Sequence, residues 1–202
     1  PAMAQLPLDA SGNLNIGDGN VVTSINSYVI GANNEVSSSG TLVAGRNNKT
    51  STRSYDTVVQ GTDNIVDGDR NVVSGAQNTT SGNRLTAIGM QNNVSGYRGT
   101  AIGQNNTVTK GGGLALGTTN RSEGVNSVAI GDASAALGDS TIAMGQNART
   151  AAVPRAIALG AGSRANFADD IALGYNSGTT KAIGTTGATL NGTNYAFAGK
   201  AP

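Results

Sequence analysis

The chain of 202 residues has no cysteine and no histidine, and only 3% of it is aromatic and 12% charged. Without cysteine there can be no disulfide and no thiolate-held metal, although the compartment stays open, because a secreted solenoid manages without bridges. Without histidine the commonest general base and the commonest metal ligand are both missing. Few large side chains also leave little with which to fill a thick core. The net charge of +1 argues against a nucleic-acid binder, which needs a concentrated basic surface. No run approaches the roughly 20 apolar residues that cross a bilayer as a helix, and no signal-peptide pattern opens the chain.

What the chain does have is 30 glycines, many of them in one phase. The stretch Ser127 to Gly145 holds Ser127-Val128-Ala129-Ile130-Gly131 and, fourteen residues on, Thr141-Ile142-Ala143-Met144-Gly145. The same glycine recurs at Gly17, Gly31, Gly45, Gly61, Gly75, Gly89, Gly103, Gly117, Gly131, Gly145, Gly160 and Gly174, at steps of 14 residues except for one of 16 and one of 15, with Gly184 as a shorter last step. A period held this strictly means one small unit stacked on itself, a solenoid. Disorder is disfavoured, since disordered segments lack periodic apolar triplets such as Ile157-Ala158-Leu159. The expectation is one elongated domain of repeats over residues 5–184, preceded by an expression scar at 1–4 and followed by a connecting segment at 185–202.

Within each unit the β-branched residues before the glycine read as a short strand. The third residue after the glycine is Asn at Asn20, Asn34, Asn48, Asn64, Asn78, Asn92, Asn106 and Asn120, and later Ser134, Ser163 and Ser177. Asn tolerates the left-handed conformation, so this column is expected to form the corner. A weaker second strand follows, carrying Val36, Val66, Val94, Val108, Ala136 or Ala165, and often closes at a second glycine such as Gly68, Gly82, Gly96, Gly124 or Gly138. The expected fold is all-β, a parallel β-roll of two-strand coils stacked about 4.8 Å apart in a rod of very roughly 60 Å.

The first strand is small or apolar on both faces, and a strand buried on both faces needs cover on both. The roll supplies one cover; another chain is expected to supply the other. In this reading the bulkier pair, such as Val128 and Ile130, fills the lumen. The alanine column of Ala87, Ala101, Ala115, Ala129, Ala143, Ala158 and Ala172 then lets subunits approach closely. Gln60 and Ser74 fit a dry lumen badly.

The run Asn126-Ser127-Val128-Ala129-Ile130-Gly131 through Ala136, with Ala156-Ile157-Ala158-Leu159-Gly160 and Asp170-Ile171-Ala172-Leu173-Gly174, resembles the head repeats of YadA-like trimeric autotransporter adhesins, whose pattern is NSVAIGxxSxA. The likeness is good from Gly89 to Gly174 and looser before Gly75. It implies a left-handed parallel β-roll assembled as a homotrimer on the surface of a Gram-negative bacterium, anchored in the outer membrane through a C-terminal part. Tyr195 to Pro202 looks like the lead into a neck. The resemblance further implies partners such as collagen, fibronectin, laminin or carcinoembryonic-antigen-type receptors, with no membrane contact by the head itself. It carries over no binding residues, since the motif is structural.

The residues themselves offer few chemical sites. Asp63, Asp67 and Asp69 lack the calcium nonapeptide pattern and the right period. The Gly111-Gly112-Gly113 run lacks the helix and Lys-Ser/Thr pair of a phosphate loop. Glycosylation sequons at Asn48, Asn78 and Asn120 arise by chance in a column of Asn. No catalytic residue, metal site or cofactor is expected. The candidate binding surface is Arg70, Arg84 and Arg98, spaced at 14 residues and so stacked in one column that can meet an acidic glycan. A loop of two extra residues joins it, with Lys49, Arg53 and Tyr55; a second insertion, of one residue, lies between Arg149 and Arg155. The reading is a non-catalytic adhesin head, against a passive spacer, an ice-binding solenoid, disfavoured because threonines do not align as repeated TxT, or an acyltransferase-like solenoid, disfavoured by its 18-residue period and need for histidine.

Overall fold

The computed structural model describes residues 8–181 and 187–196, and in them the chain is all β, with no helix. Each coil gives one strand to each of two parallel sheets, except the last, which gives only the first, so that one sheet has 12 strands and the other 11. The 12-stranded sheet holds the strands that lead into the glycine, from Leu14–Ile16 to Ile171–Leu173, and the 11-stranded sheet runs from Val21–Val22 to Arg164–Ala165. Neighbours pair in register by like position, so Gly89 faces Gly103 and Gly103 faces Gly117. At about 4.8 Å per coil the larger sheet extends some 50 Å. A separate antiparallel hairpin, Gly187–Leu190 with Thr193–Ala196, lies in the segment expected to lead into a neck. The expected scar at 1–4, the last step at Gly184 and the tail from residue 197 lie outside the described residues.

The alanine column faces inward, opposite to expectation. Ala87, Ala101, Ala115, Ala129, Ala143 and Ala158 have no exposed surface within a single chain, and Ala172 has 2%. They continue the interior column of Val29, Val43, Val59 and Val73. Their flanking partners point outward: Ile88 and Leu116 are each 39% exposed and Leu173 is 70% exposed. These alanines therefore cannot touch a neighbouring subunit. The physical reason is the width of the lumen. A 14-residue coil is too flat for two bulky side chains per strand, because the interior also houses the small or polar residues at Ser127, Thr141, Asn106 and Ser134, all buried. Gln60 and Ser74, awkward in a lumen, stand on the outer side.

Core volume declines along the rod. The first cluster pairs valines across the lumen, including Val59, Val66, Val73 and Val94, whereas the clusters after Ala115 consist almost wholly of alanine. Each buried valine contributes roughly 1.5–3 kcal/mol, and each methylene removed takes away about 0.8 kcal/mol. The thin part of the roll is also where the outer columns are most apolar, with Ile142, Met144, Ile157, Leu159, Ile171 and Leu173.

The corners also depart from expectation. The left-handed residue is the second after the glycine, for example Asn33 (φ 56°), Gln91 (φ 58°) and Asn105 (φ 55°), and the Asn at the third place turns into the interior. There Asn106 Nδ2 donates to Asn92 Oδ1 at 3.1 Å and to the Gly117 carbonyl at 2.8 Å, while its backbone N–H donates to the same Asn92 Oδ1. Every amide group is thereby satisfied, which allows a polar column to be buried. Glycine before the corner is a steric requirement. Gly103 has φ 119°, and a Cβ there would lie 2.0 Å from the Gly117 carbonyl oxygen.

Candidate binding surface

The opposite corner, where the second sheet hands the chain back to the first, carries the proposed arginine column. Its left-handed residue is Asn26, Asp56, Arg70, Arg84, Arg98, Asn126, Ser140, Arg155 or Asp169, with glycine at Gly40 and Gly112. A long cationic side chain is an unusual occupant of left-handed backbone, which Gly and Asn adopt most readily. Both insertions bulge along this same edge, since the first ends just before Asp56 and the second just before Arg155.

The first insertion and the residues just before the column in the next two coils build one groove of about 530 Å³, lined by Thr52, Arg53, Tyr55, Asp67, Asp69 and Asn83, among others, with no arginine of the column in its lining. Asp67 holds its floor: Ser51 Oγ donates to Asp67 Oδ1 at 2.5 Å, and Arg53 forks onto both oxygens through Nε at 3.2 Å and Nη2 at 2.5 Å. The Ser51 hydrogen bond, then Arg53, holds the Asp67 carboxyl below its ordinary value against the opposing effect of burial. The Asp69 carboxylate accepts the Tyr55 backbone N–H at 3.2 Å. Tyr55 itself is 51% exposed, a ring presented at the rim.

Arginine repulsion in the column is relieved by groups that periodicity alone does not reveal. Arg70 lies 3.8 Å from the Asp56 carboxylate. Arg84 and Arg98 share the ring of Tyr97, with guanidinium carbons 5.4 and 4.9 Å from its centroid, and Arg84 Nη1 donates to the Tyr97 hydroxyl at 2.6 Å. Tyr97 precedes Arg98 as Asp69 precedes Arg70, so its phase was the available signal. Arg53 and Tyr55 are thus brought together with the Arg70 end of the column. Lys49 is not; it sits on the outer side of the second sheet and pairs with Glu35 at 2.8 Å. The chemistry on offer is recognition: cations, amides, hydroxyls and aromatic faces along an open edge.

The interior corner changes type partway along the rod. From Asn34 to Asn120 each Asn bonds the one a coil earlier, and Ser134 Oγ ends the series on Asn120 Oδ1 at 2.6 Å. Beyond it the corner closes on its own coil: Ser163 Oγ donates to the Gly160 carbonyl at 2.8 Å and Ser177 Oγ to that of Gly174 at 3.0 Å. The comparisons with known proteins divide within about one coil of that place. The family model described as the grass antifreeze β-roll matches residues 10–117, and the YadA head domain repeat matches twice, at 122–148 and 154–177. No curated protein matches the chain.

Proposed function

The chain belongs to the β-roll family described as the grass antifreeze β-roll and runs on, in the same phase, into two YadA head domain repeats; from that we propose that it is the head of a bacterial surface adhesin. In this reading it works as a homotrimer, displayed at the outer membrane by a C-terminal part beyond this chain, and binds host matrix proteins or cell-surface receptors without catalysis. The observation that carries it is the pair of YadA repeats, which together span coils 122–148 and 154–177. The outer columns of the 12-stranded sheet support the trimer. They are apolar from Leu114 and Leu116 to Ile171 and Leu173, and contiguous apolar patches of this kind mark interaction surfaces. The interface is thus assigned to residues such as Ile130, Ile142 and Ile157 in place of the alanines behind them.

The groove at Arg53 and Tyr55 and the Arg70, Arg84 and Arg98 edge are proposed to meet the receptor. The test is binding of the chain to collagen, fibronectin, laminin and carcinoembryonic-antigen-type receptors. Binding to one of them that R84A/R98A weakens supports the reading. Binding to none leaves a passive spacer as the better description.

A second reading follows from the longer family match. Thr79 and Ser81, Asn93 and Ser95, and Thr107 and Thr109 stand in register on the outer side of the second sheet. They form a polar face three coils deep, bounded by Ile65 and Asp67 on one side and Arg121 and Glu123 on the other. A thermal-hysteresis measurement separates the two: ice-crystal shaping by the chain, abolished by Thr107→Lys, favours ice binding.

A further inference from the structure

The second sheet's outer face carries a cationic bowl that belongs to neither the arginine edge nor the groove. Its residues Arg121, Ala135, Arg149 and Arg164 occupy one position in four successive coils. Arg149 and Arg164 are direct neighbours in the ladder, so their Cα atoms lie about 4.8 Å apart, and Arg121 stands about 10 Å from Arg149. Between them Ala135 is only 9% exposed despite its outward position, which makes it the floor of a depression. The depression measures about 860 Å³, with the amides of Asn147 and Asn176 on one side and Tyr175, 80% exposed, at its end.

Charge pairing distinguishes this place from the rest of the same column. Eight coils earlier the corresponding ladder neighbours are Glu35 and Lys49, which pair at 2.8 Å. Arg121 likewise has its carboxylate, Glu123, at 2.5 Å. Among the described residues Arg149 and Arg164 have no ion pair and no side-chain hydrogen bond. Like charges set directly opposite in a ladder destabilise it. Among the described residues no side chain offsets that cost at this point.

We propose that this bowl binds a sulfated glycosaminoglycan, with Arg149 and Arg164 each forking onto a sulfate. The guanidinium fork suits a tetrahedral oxyanion in a bidentate arrangement. Two forks one coil apart call for two anionic groups within about 5 Å of each other, which a multiply sulfated sugar ring provides and a singly charged sialic acid does not. The Asn147 and Asn176 amides suit ring hydroxyls, and the free Tyr175 face suits the apolar face of a sugar. The inference concerns a different face from the receptor edge and does not depend on the trimer.

The test is retention of the whole chain on immobilised heparin, with R149Q/R164Q as the variant and R46Q/K110Q, two exposed cations outside both the bowl and the arginine edge, as a control of equal charge change. Circular dichroism first checks that each variant keeps its β signal. The expected result is a loss of affinity of roughly tenfold or more for each arginine removed from the bowl, little change for the control, and no binding of the wild-type chain to desulfated heparin or polysialic acid. Equal loss in both variants would show general charge attraction and overturn the proposal. So would wild-type binding to polysialic acid as tight as to heparin, or no binding to heparin at all.

Discussion

Asn120 Nδ2 reaches Asn106 Oδ1 at 3.1 Å and the carbonyl of Gly131, in the next coil, at 2.8 Å. One side chain thus ties three coils together at a fully buried corner. Replacing the middle of this series removes partners from both sides. Asn106→Ala should cost about 1–3 kcal/mol, the desolvation penalty of groups left unpaired, read from the denaturant midpoint. Asn106→Ser, which can close on the carbonyl of its own coil as Ser163 does, should cost less.

Two glycines separate steric need from mere composition. At Gly103 a Cβ would meet the Gly117 carbonyl oxygen at 2.0 Å in left-handed backbone, whereas at Gly111 the nearest atom is the Tyr97 carbonyl oxygen at 3.3 Å. Gly103→Ala should destabilise the chain by at least about 2 kcal/mol. Gly111→Ala, whose Cβ needs the Tyr97 carbonyl to give by only a few tenths of an ångström, should cost less, about 1 kcal/mol. Thermal unfolding of the two variants side by side checks this.

The interior alanines predict a face-dependent response to size. Ala129 is fully buried between strands, and Ile130 beside it faces out. Ala129→Leu should overpack the lumen and cost about 1–3 kcal/mol. An exchange of Ile130 for Leu should be nearly neutral for the coil. Chemical denaturation followed by circular dichroism distinguishes them.

The period, the two strands per coil and the stacking were all legible in the glycine spacing, because a solenoid repeats its geometry as it repeats its sequence. Which face was inside was not. Alternation separates Ala129 from Val128 and Ile130 but is symmetric between the two sides of the sheet. Only the width of a lumen shared with Asn106 and Ser134 decides that the small residue enters. The corner was misplaced by one residue for a related reason: Asn suits both left-handed backbone and a buried amide ladder, and Asn33 beside Asn34 offered both at once. In the candidate surface the arginine column was visible as a spacing. Its stabilising partner Tyr97 stands in phase beside Arg98, but its column reads Tyr55, Asp69, Asn83, Tyr97, so no repeated residue type marked it.

Acid should loosen the insertion loop as the Asp67 carboxyl takes up its proton. The Asp67 carboxyl is held below its ordinary value of 3.8 by the Ser51 hydroxyl and by Arg53. A folded-state value below the unfolded one means the contribution is complete above pH 3.8 and is lost as the pH falls further, through the folded value. Asp67→Asn should abolish that part of the pH dependence. Hydrogen exchange of residues 51–55 as a function of pH reads it directly.

The outward apolar columns at Ile142, Ile157 and Ile171 stand over the thinnest, alanine-filled part of the core, and the central claim is that other copies of the chain cover them. Light scattering on the purified chain tests this most directly. The expected mass is three times the 20.0 kDa of one chain, falling to one chain in Ile142→Gln/Ile157→Gln. A stable, folded wild-type chain of 20.0 kDa would contradict it.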